Sequence, residues 1–192
     1  MSDRVIARDS GQEFAPHPEG QFVAVCVDVV DLGDRVRDFE GHVSIRPSMA
    51  LVFVTGQRRE DGSLHTISSE FTVSMHVNSK LRPFLEAWRG KPYTQEQVEQ
   101  GVPIDKLTGV PCLLKVVHTL SRKGRKYAAI MTAVELPQEM KHKIPDTSAY
   151  KRAPYWEDRK KAYAAEVARE VGTDMQNEEN GYAVEQDDEV PF

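Results

Sequence analysis

Two cysteines, Cys26 and Cys112, are all that the 192 residues contain, and 85 residues separate them. Each sits inside an apolar run without the close second ligand that a metal site shows, so both read as buried thiols. That fits a reducing compartment, and the expected location is the cytoplasm. No apolar run approaches the roughly 20 residues that span a bilayer as a helix. The N-terminal stretch M-S-D-R-V-I-A-R-D carries charges where a signal peptide needs an apolar core. The six histidines (His17, His42, His65, His76, His118, His142) show no short pairing, and Asp28 and Asp31 have no third acidic partner nearby in sequence, so a metal-dependent nuclease is unsupported. A phosphate-cradling Gly-rich loop ending in Lys-Ser/Thr is lacking, as is a Ser or Cys in a nucleophile setting. The expectation is a protein that is not an enzyme and uses neither cofactor nor metal.

Charge is unevenly placed. Residues 174–192 hold seven acids and no base, which leaves 25 bases against 23 acids in the rest of the chain. The formal net charge of −5 thus divides into a mildly basic body, +2, and a tail of −7.

Hydrophobic residues make up 40% of the chain, enough for one packed core. Residues 1–20, with Pro16 and Pro18, read as a flexible arm. A first strand is expected over 22–32, with Val23, Val25, Val27 and Val29 on one face and Ala24, Cys26, Asp28 and Val30 on the other. After Gly33, residues 34–44 read as a charged connection. A second strand over 45–55 is apolar throughout from Met49 to Val54, which predicts burial on both sides. The third, over 67–75, alternates Ile67, Phe71, Val73 and Met75 with polar residues.

A helix follows. Asn78 or Ser79 can cap it, Leu81, Phe84, Leu85 and Trp88 form one apolar stripe, and Gly90 ends it. That spacing makes Trp88 a core anchor rather than a stacking platform. Thr94-x-x-Gln97 predicts a capping box for a short second helix ending at Gly101.

From Val110 to Leu136 two β-branched runs flank Ser121-Arg122-Lys123-Gly124-Arg125-Lys126, the pattern of a hairpin with a cationic tip. Lys115, Arg122, Lys123, Arg125 and Lys126 occur there with no acid among them, and Tyr127 offers a ring on which a base could stack.

Three strands, a helical insert and two strands is the order of a five-stranded OB-fold barrel. Its ligand face is built from strands two and three and from the first and last hairpin loops. Those loops hold the candidate single-stranded DNA contacts: Arg35, Arg37, Phe39 and Arg46 at the first, and Lys115, Arg122, Lys123, Arg125, Lys126 and Tyr127 at the last. Phe53 and Phe71 sit among apolar neighbours at strand spacing and read as core. The expected fold is therefore mainly β, with the barrel over 21–137.

Residues 138–173 read as a basic linker and a helix over 155–171, with Trp156, Tyr163 and Val167 on one stripe and Gly172 as its stop. Such a helix is marginal alone. It should dock on the barrel or on a second subunit, or stay solvated, and Lys141, Lys143, Lys151, Arg152, Arg159, Lys160 and Lys161 could lengthen a cationic track. Residues 174–192 have the composition of a disordered acidic tail.

That tail ends Asp187-Asp188-Glu189-Val190-Pro191-Phe192 and resembles the C-terminal tail of bacterial single-stranded DNA-binding proteins, which usually ends in three aspartates followed by Ile-Pro-Phe; Glu189 and Val190 are the departures. Ser79-x-Leu81-Arg82, then Trp88-Arg89-Gly90-Lys91-Pro92-Tyr93-Thr94 and Leu107-x-Gly109-x-Pro111-Cys112, resembles a family of phage and mobile-element OB-fold single-stranded DNA-binding proteins over about residues 15–137. The resemblance implies binding of single-stranded DNA in replication, recombination and repair. It also implies recruitment of partner enzymes by the tail, with Pro191 and Phe192 as anchor and Asp187, Asp188 and Glu189 steering. A homo-oligomer is expected, a dimer being favoured. The alternatives are an OB-fold protein-interaction module and an RNA-binding OB-fold protein.

Overall fold

The computed structural model describes residues 16–121 and 123–182, with side chains through residue 172. Arg122 and the tail residues Asp187, Asp188, Glu189, Val190, Pro191 and Phe192 lie outside the described residues.

Five strands, β1 (Gly20–Phe39), β2 (His42–Arg58), β3 (Leu64–Thr72), β4 (Pro111–Leu120) and β5 (Lys126–Val134), form one antiparallel sheet in the order β3-β2-β1-β4-β5. The edges β3 and β5 approach each other without sharing a ladder. The expected barrel is thus not closed, and a seam runs between its two edge strands.

The segment 34–44 is not a loop. Gly33, at φ 70°, sits at a register shift that bends β1 without ending it, and pairing continues from Asp34↔Pro47 through Arg35↔Arg46 to Phe39↔His42. Glu40 and Gly41 close the ribbon with φ of 53° and 83°, the backbone a two-residue type I′ hairpin turn demands. A second shift, between Cys26 and Asp28, breaks the alternation expected of β1. Ala24 and Cys26 enter the inner core, whereas Val30 and Leu32 are buried on the outer side. In a run apolar on both faces, nothing in the residue types marks such a bulge.

Inside the curl, α1 (Leu81–Arg89) buries Leu81, Leu85 and Trp88 against Met49, Leu51, Phe53, Phe71, Cys112 and Leu114. Burying each large apolar side chain contributes about 1.5–3 kcal/mol. The Trp88 indole N–H donates to the Pro111 carbonyl at 3.1 Å, so the ring fills the core without stranding its polar atom. Ser79 Oγ accepts from the Arg82 amide, and Thr94 and Gln97 form the predicted capping box of α2 (Gln95–Gln100). Phe53 and Phe71 are core, as expected. Cys26 and Cys112 are free and buried, and burial pushes the Cys26 thiol up to about 12.

The outer face of β1 and β2 is covered by α3 (Tyr155–Tyr182), whose Trp156 and Tyr163 close over Val30, Leu32, Ala50 and Val52. Burial of β2 on both sides is thereby explained. Gly172 does not stop α3, so residues 174–182 of the expected disordered tail are helical. A helical glycine costs only about 1 kcal/mol relative to alanine, and it ends a helix only where the backbone turns left-handed.

The start of the chain is also tied down. His17 is buried, Nδ1–H donating to the Pro18 carbonyl at 2.9 Å and Nε2 accepting from Thr55 Oγ1 at 2.6 Å. His118 Nε2–H donates to the His17 carbonyl at 2.8 Å. Residues 16–20 are therefore a strap across β2 and β4, not part of a flexible arm.

Candidate nucleic-acid interface

The outer face of β1 and β2, with Glu70 of β3 at its border, is built here for a helix. Three carboxylates line that side and α3 with its lead-in answers each of them. Arg152 and Tyr150 bond Asp28, Lys160 Nζ bonds Asp31 Oδ2 at 2.6 Å, and Arg159 Nε bonds Glu70 Oε1 at 2.7 Å. Arg152, Arg159 and Lys160 consequently do not extend an open cationic track, because their charge is spent on the sheet.

What stays open is a pair of adjoining clefts at the seam. One, of about 990 Å³, is lined by Arg37, Phe39 and Arg46 from the β1–β2 ribbon, residues 70–74 and Lys80. The other, of about 920 Å³, is lined by residues 68–71 of β3, by Lys80, Pro83 and Phe84, and by residues 127–132 of β5. Glu70, Phe71 and Lys80 belong to both. The two hairpins are thus joined by one continuous groove along the unpaired edge of β3.

Strand periodicity places the groove residues. Arg35, Arg37 and Phe39 alternate on β1, and Arg46 stands opposite Arg35. Phe39 is 72% exposed and Tyr127 46%, so both rings are available for stacking. Arg37 has a buried Nε without a hydrogen-bond partner, and burial followed by the neighbouring Arg35 cation lowers its pKa. Met131, 62% exposed, is the extra residue of a β5 bulge and adds an apolar side chain to the seam.

Five expected contacts fare differently. Arg35 is engaged: its Nη1 donates to Glu70 Oε2 at 3.2 Å and its guanidinium lies 4.5 Å over the Tyr163 ring. Lys115 is exposed on β4, on the face opposite the buried Cys112, Leu114 and Val116, and lines neither cleft. Lys123 and Arg125 are exposed in the β4–β5 tip, which is held by Ser121 N–H to the Arg125 carbonyl (2.9 Å) and Gly124 N–H to the Ser121 carbonyl (2.8 Å). With Lys126 they adjoin Tyr127 at the mouth of the groove without lining it.

Lys80 escaped the sequence reading. It sits where both clefts meet, at the start of α1, and only the fold brings that position beside β3 and β5. Its one signal in the sequence is a lysine directly before the apolar stripe, which does not distinguish it from an ordinary surface lysine.

No protein-family model matches the chain, and no match is found among curated proteins. Among the described residues no cluster of His, Cys, Asp and Glu could hold a metal ion, and no helix is long and apolar enough to cross a membrane.

Proposed function

We propose that this protein binds single-stranded DNA along the β3–β5 seam without strong regard to sequence. The observation that carries the reading is the continuous groove from Phe39 to Tyr127, with Arg37, Arg46 and Lys80 on its walls. Cations spaced along a groove neutralise backbone phosphates and release counterions, which makes affinity fall with salt. Exposed rings stack on unpaired bases, each worth roughly 1–3 kcal/mol, and paired bases cannot offer that contact. The sheet order β3-β2-β1-β4-β5 around an insert helix is that of a partly open OB barrel, and we read the fold as one.

Replication, recombination and repair are the processes in which such an activity serves. The acidic segment through Phe192 would recruit partner enzymes, while the groove holds the strand. A dimer is the favoured assembly.

The deciding experiment is a titration of labelled dT oligomers at several salt concentrations, with single-stranded DNA, duplex DNA and RNA as competitors. Binding that weakens with salt and is displaced by single strands is expected. Indifference to poly-dT at low salt, or preference for duplex, would overturn the reading.

A further inference from the structure

Glu70 is placed oddly for a groove that is to hold a polyanion. It projects from the C-terminal part of β3, lines both clefts, and is the acidic side chain they share. Its Oε1 accepts from Arg159 Nε at 2.7 Å, and its Oε2 accepts from Tyr163 OH at 2.6 Å and from Arg35 Nη1 at 3.2 Å. The two arginines also bracket the Tyr163 ring, at 4.5 and 5.2 Å from its centroid. Two guanidiniums and a phenol converging on one oxyanion make the donor set that a phosphate would find. The cluster is not sealed, since the Glu70 and Arg159 side chains are 19% and 40% exposed.

We propose that Glu70 is an internal counter-anion of the groove, standing on Arg35 and Arg159 where a backbone phosphate would stand, and that it sets how strongly the groove binds nucleic acid. The inference rests on the single-stranded DNA reading above. With Glu70 ionised, its charge offsets one of the two arginines that stand behind it. Arg37 and Arg46 then carry the first phosphate contacts, while Arg35 and Arg159 are withheld. Removing the carboxylate adds one unit of positive charge to the middle of the path, and removing an arginine leaves the carboxylate to repel the strand.

The two ends of one ion pair should therefore act in opposite directions. A labelled dT oligomer is titrated at four or more salt concentrations against wild type, Glu70→Gln and Arg159→Gln. Glu70→Gln should bind more tightly at low salt, with a slope of log affinity against log salt steeper by about 0.7, the value for one added single-strand phosphate contact. Arg159→Gln should bind more weakly with a shallower slope, although Arg159 lines neither cleft. A purely structural ion pair would move both variants the same way, and that result overturns the proposal. Docking of α3 is followed in parallel by amide exchange over residues 155–167. Should Glu70→Gln release the helix, Arg159→Gln against Arg159→Lys decides: the slope must fall with glutamine and recover with lysine while the helix stays protected, and an equal slope in the two refutes the idea. Failure of the wild type to bind dT at all sinks the underlying reading instead.

Discussion

Arg152 reaches back 124 residues to hold both carboxylate oxygens of Asp28, from Nε at 2.7 Å and Nη2 at 2.5 Å. Tyr150 OH donates to the same carboxylate at 3.0 Å. Asp28 comes directly after the first bulge of β1, so the irregularity in the strand and the lead-in to α3 meet at one side chain. Further along, Lys160 on Asp31 and Arg159 with Tyr163 on Glu70 repeat the arrangement, and Trp156 is buried among them. The C-terminal helix is thereby fixed in register on the sheet by polar contacts at defined points, with an apolar patch between.

Replacing Asp28 by alanine should lower stability by about 1–2 kcal/mol. Hydrogen bonds to charged groups contribute about 1.5–3 kcal/mol, and the 47% exposure of the Arg152 side chain reduces that by screening and lets the freed guanidinium return to water. Urea unfolding measures it, and a change under about 0.5 kcal/mol would show that the pair holds nothing.

Acid should loosen α3 before the rest of the fold. Burial pushes the Glu70 carboxyl up, but hydrogen bonds from Arg159 and Tyr163 and the fields of Arg159 and Arg35 outweigh it and leave its pKa below 4.5. Asp28 behaves likewise, burial being outweighed by Arg152 and Tyr150, and lies below 3.8. A carboxyl depressed in the folded state contributes stability that is complete above its unfolded pKa and lost as pH falls through its folded one. Exchange protection of the α3 amides should hold at pH 5 and fade below about pH 4. Protection that is unchanged at pH 3 would mean the ion pairs do not anchor the helix.

How far the sequence reveals this molecule depends on whether a feature is periodic. The α1 stripe of Leu81, Leu85 and Trp88, the Thr94–Gln97 box and the hairpin at Gly124 are local, and each is where the residue types predict. Trp156 and Tyr163 announce a docking face for α3 through their spacing alone. The bulge before Asp28 is silent, because its neighbours are apolar on both sides. The partners of Asp28, Asp31 and Glu70 on α3 and its lead-in lie 89 to 129 residues away, and no local pattern ties an acid to an arginine at that distance. The same is true of Lys80, which becomes a groove residue only when β3 and β5 are brought to either side of it. Two rings of the groove, Phe39 and Tyr127, are legible because each lies within two residues of a cation in a hairpin.

The strap should open at mildly acidic pH. Burial lowers the pKa of His17 despite its bond to the Pro18 carbonyl, and lowers that of His65, whose ring lies 5.0 Å from that of His17. The charged and titratable groups facing the pair are His118, Glu19 and Arg59. Histidines depressed in the folded state contribute stability that is complete above the unfolded value of 6.5 and lost as pH falls below it toward their folded values. The protection factor of the His118 amide, whose N–H donates to Glu19 at 2.7 Å, should therefore fall between pH 7 and pH 5, and His17→Gln should flatten that dependence. A protection factor that does not change with pH would show that the histidines do not hold the strap.

Stacking and phosphate neutralisation can be separated on the groove itself. Phe39 and Tyr127 line different clefts, so Phe39→Ala and Tyr127→Ala should each weaken dT binding by about 1–3 kcal/mol while leaving the salt slope as it was, because neither removes a charge. Arg37→Gln, Arg46→Gln and Lys80→Gln should do the converse, each lowering the slope by about 0.7 with a smaller loss of affinity at high salt. Lys115→Gln is the internal contrast: its charge is equal, but its side chain projects from the other side of β4, so the slope should not move. If Lys115 matters as much as Lys80, the strand does not follow the seam between β3 and β5, and the path would have to cross the outer face of β4 instead.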